Sequence, residues 1–289
     1  MQAKQKPAAR KRLSALLTVL PMLVVAVLFV AIPLLYVLGL SFAERGEILG
    51  VTDQWTLANY ARMFDARYAR VLLDSLKLAL STTVLTLLIG YPFGYYMARA
   101  SDKWRSILML LVIVPFWTNA LVRVYGWKIL LMANGPINTF LLGIGLIDRP
   151  LKLLFTYGAV LLGMVYSLLP FMILPTYSSV EKMDWHCEEA ARDLGAGPWR
   201  AFFTVTFPLT LPGVMAGCVL VFVPSMGLFF ISDLMGGAQI TVMGNLIRDQ
   251  LMKARDWPFG AALSVALLAV TSLVLWAYRR AGGKDLGVF

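Results

Sequence analysis

The stretch EEAARDLGAGPWRAFFTVTFPLTLPG, residues 188–213, joins a charged, alanine-rich segment to an apolar segment punctuated by prolines. Asp184 lies just upstream as a helix N-cap, and Glu188 and Glu189 favour the positive end of the helix that follows. Gly195 terminates this helix, and Pro198 prevents its continuation. The stretch therefore predicts a short helix at a water-facing surface, with apolar runs on both sides.

The composition is that of a membrane protein. Of the 289 residues, 59% are hydrophobic and only 15% are charged, and the mean hydropathy is +0.74. About 20 apolar residues cross a hydrocarbon core as a helix. The charge-free runs predict an all-α polytopic membrane protein, a single transmembrane domain over residues 1–289 with six spans at about 13–40, 78–98, 106–122, 153–180, 209–232 and 257–278.

The first run and the distribution of basic residues set the predicted topology. The run at 13–40 follows the basic opening KQKPAARKR, but it is longer than the apolar core of a signal peptide, which favours an uncleaved first helix. Lysine and arginine are densest before this run and recur after the second, fourth and sixth spans. Both termini and the loop at about 181–208 are therefore predicted to be cytoplasmic.

Two local patterns refine this topology. The segment 129–147 is uncharged but is broken at Asn134-Gly135-Pro136, and the apolar piece that follows is too short to cross a bilayer, which predicts a re-entrant or interfacial helix. Gly90 with Gly94, and Gly213 with Gly217, have the Gly-x-x-x-Gly spacing that permits close approach of helix backbones.

The sequence offers little support for an enzyme. It contains one histidine, His186, and lacks the paired spacings of a metal site, the nucleophile elbow of a hydrolase and the glycine-rich loop that cradles nucleotide phosphates. We expect neither a catalytic residue, nor a metal site, nor a cofactor in this chain. The net charge of +10 is explained by basic residues that flank apolar spans, so no nucleic-acid partner is expected.

The predicted helix WHCEEAARDL, residues 185–194, has the composition of a docking element. Ala190, Ala191 and Leu194 form a small apolar patch that permits close approach, and charged residues surround it. Such a helix fits a groove on a partner protein. From the residues alone, an amphipathic helix that rests on lipid headgroups is an equal alternative.

The spacing Glu189-Ala190-Ala191, then Gly195, Val205 and Pro208, resembles the EAA loop of ABC importer permeases. Val205 and Phe207 stand where that family prefers isoleucine and leucine, and both are apolar exchanges. The resemblance implies a type I ABC importer permease fold and a coupling helix that inserts into an ATPase subunit. The coupling residues that it implies are Glu188, Glu189, Ala190, Ala191, Arg192, Asp193, Leu194 and Gly195.

Further strings resemble the B-type permease of bacterial spermidine/putrescine importers. They are GYPFGYYMAR at 90–99, VPFWTNALVRVYGWKI at 114–129, LPFMILPTYSSVEKMD at 169–184, GLFFISDLMGG at 227–237 and ARDWPFGAA at 254–262. The resemblance implies a bacterial inner-membrane location and four kinds of partner, which are a homologous second permease, two cytoplasmic ATPase subunits, a periplasmic polyamine-binding protein and membrane lipid. ATP and Mg²⁺ would be bound by the ATPase subunits.

One acidic residue suggests where a polyamine passes. Asp233 is the only charged residue between 201 and 247, and it follows Phe229 and Phe230 near the predicted end of the fifth span. A polyamine needs carboxylates for its ammonium groups and aromatic faces for cation–π contact. We expect these three residues to form a gate or transient cation site, although an interfacial aspartate beside lipid-facing rings has the same pattern.

Four other residues bear on the expected path. Trp117 and Tyr125 are further candidates for it, and both also fit an aromatic belt at the membrane surface. Arg123 and Lys128 oppose a cationic cargo unless they are paired or anchored at headgroups. An importer permease for iron or an oxyanion, or a self-sufficient secondary carrier, therefore remains an alternative to the polyamine permease.

Overall fold

The structure is a computed structural model that describes residues 20–46, 50–52, 54–237 and 239–280. The basic amino-terminal cluster, the first part of the first predicted span and Lys284 lie outside the described residues. The contacts divide the chain into two compact units, and the single transmembrane domain that the sequence predicts stays a prediction. One unit holds the described residues up to Phe64 together with Asp249–Ala266, and the other holds Asp65–Arg248 with the described residues from Leu267 onward.

The described residues are mostly helical. We number the helices as α1 Leu20–Ser41, α2 Ala58–Met63, α3 Ala66–Arg99, α4 Asp102–Ile113, α5 Ala120–Leu131, α6 Pro136–Gly143, α7 Tyr157–Glu181, α8 His186–Asp193, α9 Pro198–Gly227, α10 Phe229–Gly236, α11 Met243–Met252 and α12 Trp257–Arg280. Helices α1, α3, α7, α9 and α12 are long and apolar enough to cross a membrane. The predicted all-α membrane fold is confirmed.

The third predicted span, 106–122, is not one straight helix. Helix α4 continues as a 3₁₀ turn, Val114–Trp117, and the next helical stretch leaves it at 96°. Pro115 begins the tighter turn, and the side chain of Asn119 accepts a hydrogen bond from the Leu121 N–H (2.8 Å), which caps the start of α5. The sequence therefore overestimated the continuity of this span, because a proline and a capping asparagine stand inside the apolar run.

The fifth predicted span, 209–232, also breaks. Helix α9 contains a π-helical turn, Phe202–Thr206, and ends at Gly227. Leu228 leaves the helical conformation with ψ of 66°, and α10 starts at the next residue. Asp233 therefore lies inside a separate short helix and not at the end of the fifth span, as the sequence suggested.

The segment 129–147 folds as the end of α5, a turn and the short helix α6. Gly135 is required in this turn, because a Cβ there would lie 2.5 Å from the Ile129 carbonyl oxygen. The buried Asn138 side chain donates to the carbonyls of Met132 (3.1 Å) and Leu151 (3.0 Å), which holds α6 against the loop that follows. The re-entrant or interfacial location of this piece stays a prediction.

Helices α3, α7 and α9 form the centre of the larger unit, and glycines let them approach closely. A Cβ at Gly94 would lie 3.2 Å from the Ile173 carbonyl oxygen, and one at Gly213 would lie 2.5 Å from the Pro175 carbonyl oxygen. Both neighbours are backbone atoms of α7, so neither can move aside. The Gly-x-x-x-Gly spacings thus mark close helix packing, as predicted.

In the smaller unit, Asp256 organises the start of α12. Its side chain is buried, and Oδ1 accepts a hydrogen bond from the Phe259 N–H (3.2 Å). Oδ2 forms ion pairs with Arg62 (2.7 Å) and Arg45 (3.6 Å). Asp256 therefore caps the start of α12, and the two arginines balance its buried charge.

Candidate coupling and translocation sites

The predicted coupling helix corresponds to α8, and its ends follow the sequence prediction closely. The Asp184 carboxylate accepts a hydrogen bond from the His186 N–H (3.1 Å), just before the helix begins. At the other end Gly195 has a φ of +88°, a conformation that glycine adopts without strain, and its N–H donates to the Arg192 carbonyl (2.9 Å). Pro198 then begins α9. These bonds fix the length of α8.

One face of α8 presents apolar groups to the outside. Leu194 is 90% exposed, Ala190 is exposed and Ala191 is partly exposed. With residues of α9 they line an open groove of about 490 Å³, whose lining is formed by Cys187, Ala190, Ala191, Leu194, Thr204, Val205, Pro208 and Leu209. An exposed leucine in an apolar groove is a surface that a partner protein would cover.

The charged residues of α8 do not all face the same way. The Glu189 side chain is 69% exposed and contacts the ring of His186 (3.2 Å), and Arg192 and Asp193 are also exposed. Glu188, which the sequence grouped with them as a coupling residue, is only 4% exposed. Its carboxylate points into the protein, so it is not available to a partner in this conformation.

The second candidate site lies on α10 and α11. The Asp233 carboxylate accepts a hydrogen bond from the Asn245 amide (2.6 Å) and forms an ion pair with Arg248. The Arg248 guanidinium also lies over the ring of Phe229, 5.1 Å from its centroid. We call Phe229, Asp233, Asn245 and Arg248 the Asp233 cluster. It already contains a cation, held between a carboxylate and an aromatic face.

Asn245 positions the carboxylate. Its amide nitrogen also donates to the Phe229 carbonyl (3.2 Å), and its amide oxygen accepts from the Val242 N–H (3.0 Å) at the start of α11. Sequence reasoning placed neither Asn245 nor Arg248 at this site. The one available signal was their spacing of three residues, which places both on one face of a helix.

The remaining path candidates are spread out. Phe230 packs against the apolar core of the larger unit and lines a cavity of about 600 Å³. Trp117 and Tyr125 are 77% and 48% exposed, and among the described residues neither forms a hydrogen bond or ring contact with Asp233. The structure therefore joins Phe229 to Asp233 and leaves Trp117 and Tyr125 outside the Asp233 cluster.

The two basic residues that opposed a cationic cargo are placed over aromatic rings. Arg123 lies over Phe116 (5.3 Å) and Tyr166 (5.7 Å). Lys128 lies over Tyr125 (5.4 Å). Neither forms an ion pair among the described residues, so the structure does not show the charge pairing that the sequence analysis considered. Cation–π contact compensates part of the cost of these charges.

Comparisons with known proteins place the chain. Residues 90–282 match the family described as binding-protein-dependent transport system inner membrane component. The chain belongs to this family. It is 51% identical over 255 residues to the spermidine/putrescine transport system permease protein PotB of Escherichia coli K12, covering 88% of this chain and 93% of that protein. It is 45% identical to PotB of Haemophilus influenzae, with 88% and 89% covered.

A solved structure agrees with this assignment at the level of the fold. A chain of the bacterial alginate ABC transporter, solved in complex with an alginate-bound periplasmic protein, matches with a TM-score of 0.72 and 17% identity, covering 95% of this chain and 96% of that one. The family and the fold identify the chain as a multi-pass inner-membrane permease component of an ABC importer. Two features thus await a role, the outward face of α8 and the Asp233 cluster.

Proposed function

We propose that the chain is a transmembrane permease subunit of an ATP-driven importer for polyamines, spermidine or putrescine. It forms half of the translocation path beside a homologous second permease. Two ATPase subunits bind ATP and Mg²⁺, and a periplasmic binding protein delivers the cargo. The names of relatives with 51% and 45% identity support this assignment.

The observation that carries the cargo class is the way in which the Asp233 cluster holds Arg248. A guanidinium is a cation with an apolar stem, and here it uses the carboxylate of Asp233 and the ring of Phe229 together. An alkylammonium group needs the same two partners. The cluster therefore has the chemistry to receive a polyamine ammonium, and Arg248 occupies that place in this conformation.

This arrangement defines a gate. With Arg248 bound, the carboxylate is neutralised and a second cation gains little from approaching it. When α10 and α11 move relative to each other, the Asp233 carboxylate becomes available to the cargo. An ammonium group of the polyamine then replaces the Arg248 guanidinium, and the net charge around the carboxylate stays the same. A self-sufficient carrier would instead need coupling carboxylates within its spans.

The outward face of α8 carries the second part of the proposal. Glu189, Ala190, Ala191 and Leu194 enter a groove on an ATPase subunit, where the exposed leucine is buried and the small alanines allow close contact. Closure of the ATPase pair on ATP then moves α8. The orientation with both termini in the cytoplasm belongs to this proposal.

The test is ATPase activity of the assembled transporter in lipid. The chain is co-expressed with the second permease and the ATPase encoded beside it, reconstituted, and supplied with binding protein and spermidine, putrescine or sulfate. We expect stimulation by a polyamine and none by sulfate. Stimulation by sulfate alone would contradict the polyamine cargo, and failure of any ATPase to co-purify would contradict the importer assignment.

A further inference from the structure

Glu188 is the one acidic residue of α8 that faces the protein interior, and its surroundings are built from three different segments. Its Oε1 atom lies 2.5 Å from the guanidinium of Arg192, one turn along the same helix. Its Oε2 atom accepts a hydrogen bond from the hydroxyl of the fully buried Thr206 (2.9 Å). Arg99, the last residue of α3, completes the set at 4.0 Å.

Arg99 joins the same junction through its ring contacts. Its guanidinium lies over the ring of Trp185, 4.6 Å from the centroid, and Trp185 directly precedes α8. It also donates a hydrogen bond to the Tyr95 hydroxyl (2.9 Å), one turn back along α3. Arg99 therefore touches both the start of α8 and the carboxylate inside it.

Thr206 continues the junction into the helices that cross the membrane. It is the last residue of the π-helical turn in α9, and its carbonyl accepts a hydrogen bond from the Thr210 hydroxyl (2.9 Å). Because Thr210 uses its proton on that carbonyl, the Tyr91 hydroxyl donates to Thr210 (3.0 Å). A continuous polar chain thus runs from Glu188 through α9 to α3.

We propose that Glu188 is a positioning residue that ties the coupling helix rigidly to α3 and α9, so that movement of α8 by the ATPase becomes movement of the spans. This inference rests on the proposed function, since it explains how that machine transmits force. Glu189, on the exposed side of α8, contacts the ATPase, and Glu188, on the buried side, binds residues of the permease itself. The two adjacent glutamates therefore have separate tasks.

The charges around the Glu188 carboxylate explain how this residue can hold α8 in position. Two arginines converge on one buried carboxylate: Arg192 forms a charge-assisted hydrogen bond with it, which is a strong kind of hydrogen bond, and Arg99 adds an ion-pair contact at 4.0 Å. Glu188→Gln keeps the shape and an oxygen for Thr206, but it removes the charge that holds the two guanidinium groups together. Thr206→Val keeps the shape of the buried threonine and removes the hydrogen bond that its hydroxyl donates to Glu188.

The test compares four reconstituted transporters, which are native, Glu188→Gln, Thr206→Val and Asp102→Asn. Asp102 is the matched control, because it pairs with Arg105 (3.6 Å) on the surface with its side chain 99% exposed. The readouts are ATPase co-purification and the amount of polyamine imported per ATP hydrolysed. We expect the first two variants to retain the ATPase and to import at least about fivefold less per ATP, with Asp102→Asn near native.

A second readout needs no cargo and so separates this inference from the proposed function. In the permease without the ATPase, the exposed Cys187 on α8 can carry a spin label without disturbing docking. Ser101→Cys, between α3 and α4, provides the second site, and Cys218→Ala removes the other thiol. The distance distribution between the labels should be narrow in the native background and with Asp102→Asn, and broad with Glu188→Gln or Thr206→Val.

Each outcome of these two measurements supports or contradicts the positioning role of Glu188. A narrow distance distribution and a native amount of import per ATP in both variants would overturn the proposed positioning role of Glu188. Loss of the ATPase in Glu188→Gln, to the extent seen when Glu189 is removed, would make Glu188 part of the docking face instead. If Glu188→Gln fails to assemble, Thr206→Val alone decides between these outcomes. The native transporter could show no stimulation by polyamines and yet a narrow distance distribution that broadens in the variants. This result would contradict the polyamine cargo and would support the positioning role of Glu188.

Discussion

The two ends of α7 are surrounded by opposite arrangements of charge and apolar surface. At the Glu181 end, α8 turns a carboxylate inward onto arginines and shows a leucine and two alanines to the outside. At the Tyr157 end, the Asp233 cluster satisfies its carboxylate and covers an aromatic ring with a guanidinium of the same chain. We propose that an ATPase subunit covers the first surface, whereas the second surface already has its partners within this chain and has to open before it can bind a cargo.

The largest expected effect follows from the outward face of α8. Glu189→Ala, or Ala190→Trp in the groove, removes or blocks contacts that we propose with the ATPase, so the ATPase should no longer co-purify and uptake should fall by about a hundredfold. Truncation of a central interface residue costs about 2 kcal/mol or more. Co-purification from detergent and uptake in cells measure the result.

The comparison also supplies the control. Asp233→Asn should leave co-purification of the ATPase unchanged, because the Asp233 cluster lies at the other end of α7. If Ala190→Trp retains both the ATPase and normal uptake, the outward face of α8 is not a docking surface, and the contrast between the two ends disappears.

The Asp233 cluster gives the second prediction. Asp233→Asn removes the negative charge that the Arg248 guanidinium and the cargo share, so polyamine uptake should fall by about tenfold, equivalent to about 1.4 kcal/mol. Arg248→Gln keeps the carboxylate for the cargo and should cost about threefold, mainly by loosening closure. Initial rates of radiolabelled spermidine uptake, with binding protein in excess, measure both.

The double variant sharpens this prediction. If Arg248 and an ammonium group compete for one carboxylate, the losses in the Asp233→Asn, Arg248→Gln protein should be smaller than the product of the two single losses, because both charges of the pair are then removed together. Independent, multiplicative losses would show that the ion pair and the path are separate. Unchanged uptake in Asp233→Asn would assign the aspartate a local structural role only.

Much of this arrangement could be predicted from the sequence because it depends on local chemistry. The spans follow from apolar run length, and the limits of α8 follow from Asp184, Gly195 and Pro198, whose effects act within a few residues. The resemblance of Glu189-Ala190-Ala191 and Gly195 to the EAA loop supplied the family. The breaks at Trp117 and Gly227 were missed, because a proline inside an apolar run signals neither a kink nor an end by itself.

The rest required three dimensions. Arg248 is 15 residues from Asp233, and nothing in either stretch reveals that α10 and α11 fold back onto each other. Glu188 and Glu189 are adjacent and chemically identical, so composition grouped them together, and only the position of Thr206 and Arg99 separates their directions. Sequence patterns thus located the elements, while the pairing of charges between elements could be obtained only from the structure.

The smallest expected effect on transport concerns the helix pair that connects the two ends. Gly213→Ala places a Cβ 2.5 Å from the Pro175 carbonyl oxygen, and backbone on both sides cannot yield, so α7 and α9 must separate slightly. Overpacking of this kind costs about 1–3 kcal/mol, which should lower the thermal midpoint by several degrees while uptake at low temperature falls only about twofold. Gly126→Ala is the control, because a Cβ at that position would meet no atom within 4 Å. If Gly213→Ala has the thermal midpoint of the native protein, the close contact of α7 with α9 is not what fixes the two ends relative to each other. The positioning role of Glu188 would then have to operate without a rigid pair of helices.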